Sequence, residues 1–284
     1  MSLFQAIVLG VIQGVAELFP ISSTAHTLLI STLAGWTPPS LPFVAMLHLG
    51  TFLAVLAYFA RDFWEIVRGL FTGVTDRWAK PHERLALLVL LGTLPLAIIG
   101  ALLEKRLDPL YAKPLVAAVC LLITGLVLFV VERLPQGTAD AEHLSWINAF
   151  WIGLSQIAGL VPGGSRSGFS IAAGLLAGLT REQAARFSFL LAGPAILGAS
   201  LFEFRRIVHP HPGAAHGFVS ATAAPEPTLI IAAGFAAALI SGLFAIRFFM
   251  RYVDQHRLTP FAIYCWVFGL AMIALLLARG HAAA

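Results

Sequence analysis

Six apolar runs govern what this chain can fold into: residues 43–60, 85–103, 115–131, 187–202, 229–246 and 261–278. Each approaches the roughly 20 residues that a helix needs to cross the hydrocarbon core of a bilayer. Composition says the same of the whole chain. Of its 284 residues 59% are hydrophobic and 11% charged, with a mean hydropathy of +0.87, whereas soluble domains carry about a quarter charged residues. The chain therefore reads as an all-α integral membrane protein; a disordered chain, a coiled coil and a secreted disulfide scaffold are excluded. Cys120 and Cys265 lie far apart inside apolar runs, which suits packing residues better than a disulfide or a metal site. A net charge of +4 on so few charges reflects loop bias, and no nucleic-acid partner is expected. No Lys or Arg precedes Arg61, so the basic leader of a cleaved signal peptide is not expected.

Two further stretches are apolar but broken. Residues 2–35 are interrupted by Phe19-Pro20-Ile21-Ser22-Ser23-Thr24, and residues 147–180 by Pro162-Gly163-Gly164-Ser165-Arg166-Ser167-Gly168. Proline removes a backbone donor and glycine loosens a helix, so each break exposes polar backbone at membrane depth. Such backbone persists only inside protein or around a wet cavity. Both stretches are thus expected to be re-entrant helical hairpins.

The halves of the chain resemble each other. Gly10-Val-Ile-Gln13 leads to Pro20 and a serine pair, as Gly153-Leu-Ser-Gln156 leads to Pro162 and Ser165-Arg166. Arg84 precedes a run reaching Pro95 and Gly100, and Arg186 one reaching Pro194 and Gly198. Each half reads as one broken hairpin and three spans. Three is odd, so the second half starts on the opposite side of the membrane, giving an inverted-topology repeat. The expected units are 1–131 and 147–284, joined by the polar linker 132–146 within a single membrane domain. Alternating the loops puts eleven Lys and Arg, from Arg61 to Arg257, on one side. The other side holds six: Lys105, Arg106, Lys113, Arg205, Arg206 and Arg279. The richer side is expected to be cytoplasmic, so the first hairpin's mouth and the loop 203–228 face outward.

The scarce charges inside the breaks carry the chemistry. Glu17 is the first acid in the chain and stands among apolar neighbours; a charge at mid-membrane costs roughly 2.5–3.5 kcal/mol on insertion scales and is rarely idle. Gln13 and Glu17 are four apart and share a helix face. Ser22, Ser23, Thr24 and His26 follow within a few positions; Ser23 or Thr24 also suits a helix cap. Arg166, flanked by Ser165 and Ser167 on a glycine-rich turn before a helix, has the makings of a phosphate cradle: free amides plus a forked cation. If the breaks meet near the midplane, these groups form one anion site with a nucleophile and an acid or base, which is what phosphoryl transfer requires. Two rival patterns are missing. No His lies between Arg166 and His209, against the type-two phosphatidic acid phosphatase pattern, and no Gly-Lys-Ser or Gly-Lys-Thr marks a P-loop.

Gln13-Gly-Val-Ala-Glu17-Leu-Phe-Pro20-Ile-Ser-Ser-Thr-Ala-His26 and Pro162-Gly-Gly-Ser-Arg-Ser-Gly168 resemble the two signature motifs of the undecaprenyl-diphosphate phosphatase family, the bacitracin-resistance type. Phe43 to Thr51, Tyr58-Phe59, and Glu182 through Arg186-Phe-Ser-Phe-Leu-Leu-Ala to Pro194 extend the resemblance over nearly the whole chain. The resemblance implies hydrolysis of undecaprenyl diphosphate to the monophosphate, which recycles the lipid carrier for cell-wall synthesis and gives bacitracin resistance. It implies a divalent cation, Mg²⁺ or Ca²⁺, and a multi-pass protein of the bacterial plasma membrane with its site open to the outer face. Membrane lipids are its surroundings, and a homodimer is a further expectation. Carried over, Gln13 and Glu17 fill the metal and diphosphate motif, Ser23 and His26 are the nucleophile and its activator in either order, and Arg166 binds phosphate. Ser22, Thr24, Ser165 and Ser167 add phosphate contacts. Position 13 is Gln where many members have Glu, Cys265 follows Tyr264 where Arg is common, and Ala25 replaces a frequent Gly.

His48, beside Gly50-Thr51, is a weaker site candidate, as apt to pack as to react. His209, His211 and His216 lie in a Pro/Gly/Ala loop that reads as solvated. A transporter of a phosphorylated lipid is the competing class, because inverted repeats with broken helices often serve alternating access. The hydroxyls and His26 beside Glu17 favour the enzyme, since binding alone requires no nucleophile.

Overall fold

The computed structural model describes residues 1–76, 78, 80–208 and 226–280. Eleven α-helices run through the described residues: α1 Leu3–Ala16, α2 Ser23–Ala34, α3 Leu41–Tyr58, α4 Ala60–Asp76, α5 Pro81–Leu107, α6 Pro114–Val131, α7 Trp146–Ser155, α8 Arg166–Leu176, α9 Arg181–Val208, α10 Thr228–Gln255 and α11 Thr259–Ala278. Helices α3, α5, α6, α9, α10 and α11 are long and apolar enough to cross a membrane, and they match the six apolar runs. The protein is thus a multi-pass, all-helical membrane protein. The loop histidines His209, His211 and His216 lie outside the described residues.

Both broken stretches fold as two short helices around a turn. Ser2 caps α1 with a reciprocal bond to Gln5. The 14 residues of α1 rise about 21 Å at 1.5 Å each, less than the roughly 30 Å of a hydrocarbon core; α2, α7 and α8 are shorter still. Ser22, rather than Ser23 or Thr24, caps α2, its side chain accepting from Ala25 N. Ser165 caps α8 in the same manner through Gly168 N. Between α7 and α8 the chain tightens into a 3₁₀ turn, Gln156–Leu160.

Small residues bring the hairpins against the long helices. A Cβ on Gly10 would fall 2.4 Å from Gly234 O of α10, and one on Gly153 would fall 2.1 Å from Gly92 O of α5; such close approach is how helices associate where lipid removes the hydrophobic driving force. The helix contacts exchange in step with the halves: α1 meets α10 as α7 meets α5, α3 meets α10 as α9 meets α5, and α3·α9 and α6·α11 pair across the centre. In this pattern α9 is the counterpart of α3. The likeness of Arg84–Gly100 to Arg186–Gly198 therefore joins α5 and α9, which are not packing counterparts: similar apolar runs with an interior proline arise in both without equivalent places.

Phe59, Phe187, Phe189, Leu190 and Phe249 form the buried centre with Leu18 and Val55. The linker is tied down where Ala139 N donates to Gly178 O and Ala139 O accepts from Thr180 N, at 3.1 and 3.2 Å. Glu132, at the end of α6, accepts both arms of Arg181 and also Leu258 N. Helix α4 has no counterpart among the apolar runs. Its charges hide it from a search for spans, while Trp64, Val67, Phe71 and Val74 recur at helical spacing.

Candidate active site

Glu17 is the hub of the site. It caps the end of α1, so its carboxylate leaves the helix where the chain breaks. Oε1 accepts from Arg166 Nη2 at 2.8 Å, across 149 residues of sequence. Oε2 accepts from Ser23 Oγ at 2.6 Å and from Gln13 Nε2 at 3.3 Å. The two breaks thus meet through one carboxylate, which holds a guanidinium on one oxygen and a hydroxyl on the other.

Each turn is held by backbone that side chains alone would not explain. Ser22 has φ +66°, a left-handed conformation that costs an ordinary residue roughly 1–2 kcal/mol. The turn earns stability from Ser22's own cap and from His26, whose ring Nδ1 lies 2.8 Å from Ser22 O. In the second break Gly163 has φ +91°, and a Cβ there would fall 2.1 Å from Ala117 O. Thr124 of α6 clamps this turn: its hydroxyl donates to Gly163 O at 3.0 Å and accepts from Ser165 N at 3.3 Å. Ser165 and Ser167 are hydroxyl neighbours at 3.2 Å, and Ser167 also reaches Phe19 O at 3.1 Å.

A cavity of about 490 Å³ opens over these groups. Gln13, Glu17, Ser22, Ser23, Thr24, Ser165, Arg166 and Ser167 line it, so eight of the nine residues singled out in the sequence come together. The ninth, His26, does not line it. A carbonyl only accepts, so Nδ1 carries the proton toward Ser22 O. Nε2 is then the acceptor and lies 2.7 Å from the hydroxyl of Tyr264, with the ring stacked on Phe268 at 4.5 Å. The basic nitrogen of His26 is thus engaged by Tyr264. Tyr264, Thr124, Tyr111 and Gln156 were not foreseen as site groups. Only Gln156 carried a signal, the match of Gly153-Leu-Ser-Gln156 to the segment around Gln13; it lines the cavity, as does His48. Cys265 is buried, its sulfur 3.8 Å from Pro20 O, and Cys120 and Cys265 are both free thiols.

For a divalent cation, the donor set is thin. No group of three or more His, Cys, Asp or Glu that would hold a metal occurs among the described residues. Glu17, the Gln13 amide and the Gln156 amide, whose buried Oε1 has no hydrogen-bond partner, are oxygen donors of suitable kind in the cavity, which fits an ion of the Mg²⁺ type that takes one or two protein oxygens and fills its shell from phosphate and water.

The fold and the site define a multi-pass membrane protein whose central cavity sets an arginine, a carboxylate and serine hydroxyls together from two broken hairpins. The family described as bacitracin resistance protein BacA matches residues 6–271. Undecaprenyl-diphosphatase 2 of Chromobacterium violaceum is 40% identical over 283 residues, covering 95% of this chain and 97% of that protein. The undecaprenyl-diphosphatase of Methanobrevibacter smithii is 36% identical over 280 residues, 95% and 96% of the two chains, and that of Geotalea daltonii 38% over 266 residues, 93% and 94%. The chain belongs to the bacitracin resistance protein BacA family.

Proposed function

We propose that this chain is an undecaprenyl-diphosphatase: a hydrolase that removes the terminal phosphate of undecaprenyl diphosphate, returning the lipid carrier to cell-wall synthesis and giving bacitracin resistance. The observation that carries this reading is the Arg166–Glu17–Ser23 chain within one cavity, which supplies a phosphate ligand, a base and a nucleophile in contact. Membership of the family and the names of its relatives support the substrate.

Arg166 takes the terminal phosphate, with Ser165, Ser167 and the amides opening α8, exchanging its bond to Glu17 for bonds to phosphate oxygens. Glu17 removes the proton of Ser23 as Oγ attacks the terminal phosphorus. The bridging P–O bond breaks, undecaprenyl phosphate leaves with the bridging oxygen, and the phosphoryl group rests on Ser23. Glu17 passes the serine proton to the departing undecaprenyl phosphate; water then attacks that phosphorus, Glu17 takes one water proton, and it returns that proton to Ser23 Oγ as the Ser23–phosphorus bond breaks. The net reaction consumes one water and yields one inorganic phosphate. His26 positions the Ser22–Ser23 turn rather than reacting. Mg²⁺ or Ca²⁺, held by Glu17 and Gln13 together with the diphosphate, would offset the negative charge of the phosphates.

The same helices support a reading of sidedness. The cavity takes Leu41, Val44, Leu47 and His48 from the start of α3, and Thr93 through Ala101 from the far half of α5. Arg61, Arg68, Arg84 and Arg186 lie at the other ends of those spans, near α4. With the basic end inside, the cavity belongs to the outer half of the plasma membrane, and the short hairpins enter and leave on one side as re-entrant elements of an inverted repeat. The exchange of helix contacts between halves supports that repeat. A homodimer is part of this proposal, to be read by native mass spectrometry in detergent.

Phosphate release from undecaprenyl diphosphate by the purified chain in detergent tests the reading and separates it from lipid transport, which detergent abolishes. The expected result is turnover by the natural chain and its loss in Arg166→Ala. No release under any divalent cation would overturn it.

A further inference from the structure

Helix α4, Ala60–Asp76, presents three faces. Asp62, Phe63, Ile66, Gly69 and Leu70 turn to the body of the protein: Asp62 pairs with Arg186, Phe63 packs on Gly193, and Gly69 lies against the backbone of His82 and Glu83. Arg61, Glu65, Arg68 and Thr75 make an exposed polar arc. Between these, Trp64, Val67, Phe71 and Val74 fall on one stripe and are 69, 45, 77 and 72% exposed. A helix packed on one side needs one buried face and one wet face; a third, apolar and outward, is unexplained by the protein itself.

We infer that this stripe is sunk in the bilayer surface, so that α4 lies along the membrane plane at the basic rim of the molecule, with Arg61 and Arg68 reaching lipid phosphates. Three observations commit it to lipid. The helix begins two residues after α3 ends and closes shortly before α5 starts, and both neighbours are membrane-crossing, so its two ends are fixed at one rim. The two spans it joins also leave large apolar side chains exposed, Tyr58 on α3 and Leu90 and Leu94 on α5, the surfaces those spans offer to lipid. Its charges sit on the adjoining arc, the arrangement by which interfacial helices hold aromatic and aliphatic residues below the headgroups and cations among them. The inference is independent of the reaction in the cavity, which lies toward the opposite end of α3 and α5.

The test uses the full chain in vesicles of phosphatidylcholine with a minority of phosphatidylglycerol. Nitroxide labels are placed singly at 61, 64, 65, 67, 68, 71, 74 and 75 in a Cys120→Ser, Cys265→Ala background. Labels at 64, 67, 71 and 74 are expected to be relaxed by oxygen and shielded from an aqueous nickel chelate, and those at 61, 65, 68 and 75 the reverse. As a measurement on the unaltered chain, a phosphatidylglycerol bearing a diazirine on its acyl chain is expected to label the 60–76 peptide at Trp64 or Phe71. Nickel access at 64 and 71 equal to that at 65 and 75 would overturn the inference. So would dipolar broadening at 64 and 71, the mark of a second copy on this face, or an unlabelled 60–76 peptide.

Discussion

The two breaks each interrupt a pair of short helices and solve the same problem with different chemistry. The first keeps a carboxylate at the end of α1 and forces a serine, Ser22, into a left-handed turn. The second uses Gly163 for its left-handed turn and places a cation at the start of α8. In the proposed reaction one break supplies the groups that give and take protons, the other the groups that hold negative charge. The comparison teaches how one kind of backbone break can carry opposite charges: Glu17 leaves the first break, Arg166 the second, and the two meet at 2.8 Å.

The division of labour can be broken at several points. Arg166→Ala should lower kcat/KM by roughly 10³–10⁵, the range for an arginine on a transferring phosphoryl group. Arg166→Lys should recover only part, because an ammonium lacks the planar fork. Steady-state phosphate release measures both. Glu17→Gln keeps shape and removes the base, and should cost about 10²–10⁴ in kcat, the range of general-base catalysis. A smaller loss would mean that water, not Glu17, takes the serine proton.

Thr124→Val sharpens the comparison from the other side, because it touches only the second turn. It removes the bonds to Gly163 O and Ser165 N while keeping volume, and should cost about 1–3 kcal/mol of stability for the unpaired groups, with a raised KM and nearly unchanged kcat. Thr124→Ser should restore both. Thermal unfolding in detergent and the KM-against-kcat split read the result. The smallest effect belongs to Ser22→Gly, which relieves the left-handed strain and loses only the side-chain cap, worth a few tenths of a kcal/mol against Gly; it should leave the unfolding temperature unchanged or slightly raised.

Much of this was written locally in the chain. The six runs gave the spans, and Pro20 and the Pro162–Gly168 segment marked the hairpins. The isolation of Glu17 and Arg166 among apolar residues pointed to the site. What stayed hidden depends on distant partners. The family resemblance makes Ser23 and His26 the nucleophile and its activator in either order, and no local pattern shows that the His26 Nε2 lies 2.7 Å from the hydroxyl of Tyr264, 238 residues away. Thr124 reads as one more residue of an apolar span until the second turn folds against it. Helix α4 is masked by its own charges, and its third face has meaning only beside α3 and α5.

The central claim is that Ser23, fired by Glu17, receives the phosphoryl group while His26 stands behind the turn. Acid quenching during turnover of undecaprenyl diphosphate labelled in its terminal phosphate, followed by peptide mapping, tests it most directly. The account predicts an acid-stable phosphoryl group on Ser23, absent from Ser23→Ala together with turnover. An acid-labile, base-stable group on His26, or normal phosphate release by Ser23→Ala, would contradict it.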